Sequence, residues 1–143
     1  MKKIVVIGSS SGGPRALESL FKMLPNEFPL PILIAQHLAW PFTKALAERL
    51  DKASNVLVTE AQNDEVIERG HAYVIPGDSH FFIYDPGPKI ALIPAEDIPK
   101  PSVDMGFTSV AEHYGSGTIA VVLSGMGSDG VIGAKAVKQL LGH

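Results

Sequence analysis

The sequence predicts an α/β fold, a doubly wound, mostly parallel sheet with helices on both faces and an antiparallel hairpin insertion. Three observations carry this. Short, near-continuous runs of β-branched residues alternate with segments of helical period in the first 60 residues. A middle stretch instead carries short strands joined by tight turns. Two apolar runs end abruptly in Gly-rich turns that open into helices, Gly8–Gly13 and Gly125–Gly130.

In chain order, residues 3–8 read as a strand buried on both faces. A helix over 14–24 follows, with Pro14 suited to its first turn and Leu17, Leu20, Phe21 and Leu24 on one stripe. Pro25, Pro29 and Pro31 mark a connection to Ile32–His37, a second buried strand with a polar end. A helix over 42–52 has Phe42, Ala45, Leu46 and Leu50 inward, and Asn55–Glu60 is a third strand. This β-α-β-α-β series, with right-handed crossovers, makes one half of the sheet. His71–Ile75, Phe81–Tyr84 and Lys89–Ile93 are expected to form an antiparallel hairpin or meander. After a proline-containing loop over 94–101, Ser102 is placed to cap a helix running to 114, with Val103, Phe107, Val110 and Ala111 as its core stripe. Thr118–Ser124 is a further buried strand, and a last helix covers 131–141.

Composition bounds the function. The 143 residues suffice for one domain with its own core, and 45% apolar content describes a globular chain. A net charge of −3 without a dense Lys/Arg run argues against nucleic acid and anionic membrane as partners. With no cysteine, disulfides, thiolate zinc sites and thiol catalysis are excluded. Only four apolar residues separate Lys3 from Gly8, too few for a signal-peptide core, and no stretch reaches membrane-spanning length. The expectation is a cytoplasmic protein without direct membrane insertion.

Candidate chemistry sits at three strand ends. Gly8-Ser9-Ser10-Ser11-Gly12 satisfies the G-x-S-x-G pattern of a nucleophile elbow, with Ser10 in the central place. Small neighbours are needed because a residue raised on a sharp turn crowds the adjacent backbone. His37 ends the second strand and Asp129 follows the late one. In an open α/β sheet the strand carboxyl ends share an edge, so a serine, a base to take its proton and an acid to orient that base can meet there. Ser9 and Ser11 compete for the nucleophile role, His37 is also a plausible strand cap, and Asp129 a plausible helix N-cap. Of the other histidines, His113 is expected in solvent, His71 and His143 to be structural or terminal, and His80 to lie in a turn. Arg15 and Lys44, near the expected rim, are candidates to meet substrate carboxylates.

The motifs in order resemble the chemotaxis receptor methylesterase (CheB) family. Ile7-Gly8-Ser9-Ser10-Ser11-Gly12-Gly13 is similar to its I-G-(A/S)-S-(T/S)-G-G segment. Gln36-His37, Phe42-Thr43 and Ala47-Glu48-Arg49-Leu50 resemble its Q-H, F-T and A-E-R-L. Gly70-His71-Ala72-Tyr73 through Pro76-Gly77-Asp78-Ser79-His80 looks like its G-H-A-Y and P-G-D-x-H. Pro101-Ser102-Val103-Asp104 matches R-P-S-V-D except for Lys100 in the Arg place, and Ser124–Gly130 resembles (T/S)-G-M-G-x-D-G.

The resemblance implies hydrolysis of glutamate γ-methyl esters on chemoreceptor signalling helices, with methanol released, and deamidation of certain receptor glutamines. It implies Ser10 as nucleophile, His37 as general base, Asp129 as the residue orienting it, and the Met126 amide in the oxyanion hole. Ser11, Arg15 and Lys44 are assigned to substrate contact, and no cofactor or metal is expected. Residues 1–143 are expected to be a single catalytic domain without the family's receiver domain, and short at the C-terminus, where the family continues into another strand and helix. The rival readings are a nucleotide- or phosphate-binding α/β module and a catalytically silent signalling scaffold. The first turn lacks the lysine of a P-loop, and the second strand ends in His37 where a dinucleotide fold has an acid. A metal hydrolase built on Asp78, His80 and Asp104 has no recognised ligand spacing.

Overall fold

β-branched runs and helical stripes fold here into three layers, seen in a computed structural model that describes residues 2–9, 13–36, 38–94 and 103–123. In chain order the elements are β1 (Ile4–Ser9), α1 (Gly13–Lys22), β2 (Ile32–Gln36), α2 (Phe42–Ala53), β3 (Leu57–Glu60) and β4 (Glu65–Val66). They continue as β5 (His71–Val74), β6 (Ser79–Tyr84), β7 (Lys89–Pro94), α3 (Val103–Tyr114), a 3-10 turn at Gly115–Gly117 and β8 (Thr118–Leu123). Five strands form a parallel sheet in the order β3-β5-β2-β1-β8. The other three form a small antiparallel sheet, β4-β7-β6.

Alternation along the strands divides the interior into two cores. Ile7, Ile32, Ile34, Val58, Ala72 and Val74 pack with Leu17 and Phe21 of α1 and with Leu46, Ala47 and Leu50 of α2. On the opposite face Ile4, Val6, Leu33, Tyr73 and Ile75 pack with Phe107, Val110 and Ala111 of α3. Phe81, Ile83 and Ile90 of the antiparallel sheet complete that second core. Helices therefore cover both faces, as the doubly wound reading requires.

The structure departs from the sequence reading in five places. The run at Thr118–Leu123 is not a buried strand: β8 lies at an edge of the described sheet, with Ile119 and Val122 each 44% exposed. His71–Ile75 is not part of a meander: β5 lies inside the parallel sheet, between β2 and β3. Ala72, Tyr73 and Val74 are fully buried, as befits a strand covered on both faces, and the Ile75 N–H donates to the Ile34 carbonyl at 2.9 Å. Beyond β5, β3 takes one edge of the described sheet, with Leu57 53% exposed. Sheet periodicity cannot distinguish these orders, because both strands are only four residues long. The antiparallel partner of β7 besides β6 is the two-residue strand β4, too brief to carry a pattern.

In α2 the inward positions are Thr43, Leu46, Ala47 and Leu50, whereas Phe42 is 62% exposed and Ala45 also faces out. A polar Thr43 takes the buried place because its hydroxyl finds two partners there, described below. His113 is half-buried and lies 3.0 Å from the Asp85 carboxylate instead of standing in solvent. His80 belongs to strand β6 and is buried, so it is not a turn residue. The expected cap Ser102, the Gly-rich turn over 125–130 and the helix over 131–141 lie outside the described residues.

His71 is structural, as expected. Its Nε2 lies 2.7 Å from the Thr59 hydroxyl and its ring stacks on Tyr73 at a centroid distance of 4.0 Å. Burial depresses its pKa below the usual imidazole value, with Glu65, Glu68 and Asp51 acting in the opposite sense. Tyr73 accepts from the Glu68 N–H and donates to the Val66 carbonyl, and burial pushes its hydroxyl up to about 12.

Candidate active site

The sheet brings the three chemistry-bearing strand ends side by side. In the register, Ser9 at the end of β1 stands opposite Gln36 at the end of β2 and opposite Leu123 at the end of β8. Each is the last residue of its strand, and the residues that follow them in sequence are Ser10, His37 and Ser124. Because β1 is the middle of the three, its carboxyl end is flanked by both others, and all run parallel. The sequence folds this way because β1 and β2 are apolar on both faces, which selects interior positions in a parallel sheet. Ser10, Ser11, His37, Met126 and Asp129 themselves lie outside the described residues.

What surrounds these ends is described in detail. Ser9 is fully buried, and its hydroxyl has no hydrogen-bond partner among the described residues. Such a group carries a desolvation cost. The helices after β1 and β2 start at the same edge, so their first turns aim backbone N–H groups toward it. Arg15 stands in the first turn of α1 and Lys44 in the first turn of α2, both exposed. Further along, an Arg49–Glu18 ion pair links the two helices. Trp40, on the segment between β2 and α2, and Phe42, the first residue of α2, are both exposed.

Sequence reasoning passed over a buried polar group beside this edge. The Thr43 hydroxyl accepts from the Gly77 N–H at 3.0 Å and donates to the Glu60 carboxylate at 2.7 Å. In the sequence Thr43 and Gly77 stand out only as members of motifs, and no periodicity argument marks Glu60. Among the described residues no group of three His, Cys, Asp or Glu side chains could hold a metal ion. No helix among them is long and apolar enough to cross a membrane.

Comparison with known proteins agrees with this architecture. The family model for CheB methylesterase matches residues 5–143. A Thermotoga maritima protein named protein-glutamate methylesterase/protein-glutamine glutaminase is 45% identical over 146 residues, covering 95% of this chain and 41% of its own length. A Pseudomonas syringae pv. tomato protein of the same name, numbered 1, is 41% identical over 140 residues, covering 96% of this chain and 36% of its own. The chain thus spans about two fifths of the length of the curated relatives it matches. The crystal structure of the Thermotoga maritima CheB methylesterase catalytic domain superposes with a TM-score of 0.93 at 44% identity, covering 99% of this chain and 77% of that one. A match that begins at the second residue of β1 and runs to the last residue, with these identities along nearly the whole length, shows that the chain belongs to the CheB methylesterase family.

Proposed function

We propose that residues 1–143 form a catalytic domain that hydrolyses glutamate γ-methyl esters of chemoreceptor signalling helices and deamidates receptor glutamines, acting in the cytoplasm. The observation that carries this reading is the register: the residues preceding Ser10 and His37 are paired across β1 and β2, with Leu123 at the end of β8, six residues before Asp129, on the other side of β1. Family membership and the names of the relatives support the same chemistry.

In this mechanism the Ser10 hydroxyl attacks the ester carbonyl carbon while His37 takes its proton. Asp129 orients the imidazole and stabilises the imidazolium that forms. The oxyanion is held by the Met126 amide, and fixed donors of this kind lower barriers by about 3 kcal/mol each. The C–O bond to the methoxy group breaks, His37 returns the proton, and methanol leaves. Water, deprotonated by His37, then cleaves the acyl-serine and regenerates Ser10 and a glutamate carboxylate. With a glutamine substrate the leaving group is ammonia and the remaining steps are the same. Ser11, Arg15 and Lys44 contact the substrate, the two cations meeting carboxylates on the acidic helix.

The test is methanol release from methylated receptor signalling helices, compared between this chain and its Ser10→Ala variant. Release that disappears in a folded variant supports the reading. Release that persists in Ser10→Ala moves the nucleophile to Ser9 or Ser11 and overturns the assignment.

A further inference from the structure

The segment that directly follows His37 is gripped from two sides. On one side Gly77, in the turn after β5, approaches it so closely that an added Cβ would lie 2.2 Å from the Leu38 carbonyl oxygen, 2.6 Å from the Trp40 nitrogen and 2.8 Å from the Ala39 carbonyl carbon. All three are backbone atoms, so glycine is required by the approach itself. On the other side, the first turn of α2 contributes Thr43, whose fully buried hydroxyl ties the Gly77 N–H to the Glu60 carboxylate at the end of β3. Within the segment, Leu38 N–H donates to the Gln36 carbonyl and Phe42 N–H to the Ala39 carbonyl, each at 2.8 Å.

Thr43 does not serve its own helix. The N-cap of α2 is Pro41, which offers no side-chain cap bond. The hydroxyl instead joins three separate elements, the ends of β3 and β5 and the start of α2, around one stretch of backbone. From this geometry we infer that Thr43, Gly77 and Glu60 form a clamp whose task is to position His37 as general base, an inference that rests on the hydrolase reading above. The three act through His37 and are positioning residues. A displacement of about 1 Å in a reacting group can lower a rate about 100-fold without affecting substrate binding, which is the signature to look for.

The experiment uses a fluorophosphonate, which forms a serine O–P bond with loss of fluoride, and so reports base-assisted serine reactivity without a protein substrate. Labelling rates are measured for the chain and for Ser10→Ala, Thr43→Val, Thr43→Ser, Gly77→Ala and Glu60→Ala, each checked for folding by circular dichroism and thermal unfolding. Thr43→Val and Gly77→Ala are expected to label about 100-fold more slowly. Thr43→Ser, which keeps the hydroxyl, restores most of the rate. In methanol release the same variants lose kcat, with KM within about twofold, as expected when only transition-state interactions are lost. Glu60 is partly exposed, so Glu60→Ala should fold even if the other two do not, and it should label several-fold more slowly. A folded Thr43→Val, or Glu60→Ala where it alone folds, labelling at the parent rate assigns the network to stability alone and overturns the inference. So does Thr43→Ser labelling as slowly as Thr43→Val. Equal labelling of the parent chain and Ser10→Ala is a different failure, which removes the nucleophile assignment and the clamp's role with it.

Discussion

Gly106 in α3 sets two effects against each other, and their magnitudes decide which wins. In the interior of a helix, replacing glycine by alanine favours folding by about 1 kcal/mol through backbone propensity. Here, however, the added methyl would lie 2.0 Å from Cε1 and Cζ of Phe81 and 2.9 Å from Cδ1. Carbon atoms sit comfortably at about 3.5–4.0 Å, so the ring would have to retreat by roughly 1.5 Å. It has nowhere to go: Phe81 is fully buried in a core with Tyr73, Ile83 and Phe107. Overpacking of this kind costs about 1–3 kcal/mol, and a deficit at two ring atoms belongs at the upper end. Gly106→Ala should therefore destabilise by about 2 kcal/mol net, lowering the thermal midpoint by roughly 4–8 °C for a domain of this size. Urea and thermal unfolding measure it. Combining Gly106→Ala with Phe81→Leu, which gives up ring volume at the clash, should recover about 1–2 kcal/mol relative to the sum of the single effects. A single variant that is more stable than the parent by the propensity increment would refute the claim that α3 needs glycine to reach β6.

Three further outcomes are expected. Because Trp40 and Phe42 are exposed, removing both with Trp40→Ala and Phe42→Ala should change stability by no more than about 0.5 kcal/mol. If they meet the substrate helix, KM for a receptor helix should rise about tenfold while fluorophosphonate labelling is unchanged; an unchanged KM removes them from the contact surface. Reversing charge at Arg15 and Lys44 together should raise KM for an acidic helix and flatten its salt dependence, and turnover that is unaltered would rule both out as substrate contacts. His71 provides a pH test. Its folded pKa lies below the unfolded value of about 6.5, so the unfolded chain takes up the proton more readily. The contribution to stability is intact above about pH 6.5 and declines as pH falls from there toward the lower folded pKa. Thermal midpoints of His71→Gln should show a shallower fall across that window, and a variant that tracks the parent would disprove the linkage.

Much of the fold was legible because its signals are local. The apolar runs of β1 and β2, the stripe of Leu17 and Phe21, and the stripe of Phe107, Val110 and Ala111 each report burial by spacing alone, whereas the equally apolar run of β8 lies at a half-exposed edge. Strand order was not legible, since β3 and β5 are each only four residues long and their places depend on which one other elements cover. The inward face of α2 was misread for a related reason. Phe42 outranks Thr43 on any hydrophobicity scale, yet Thr43 is buried because Gly77 and Glu60 satisfy its hydroxyl, and neither partner is near it in sequence. His113 follows the same rule, its partner Asp85 lying in the turn between β6 and β7. Of the candidate site, the strand ends that precede Ser10 and His37 were legible, and Arg15 and Lys44 fall in the first helical turns.

Strand order links the fold to the site. Neighbouring strands lie about 4.8 Å apart. Placing β5 next to β2 brings its carboxyl-end turn against residues 38–40, close enough for Gly77 to meet backbone at contact distance. Placing β3 on the far side of β5 brings Glu60 within reach of the same threonine hydroxyl. Were β3 and β5 exchanged, Gly77 would move outward by one strand spacing, well beyond the 3.0 Å that its N–H bond to Thr43 requires. The buried apolar surface of β5 selects its interior place, and that choice carries Gly77 to the backbone that follows His37. A change that loosens β5 in the sheet should therefore slow serine labelling even where the protein stays folded, because the clamp depends on placement to within about 1 Å and the fold does not.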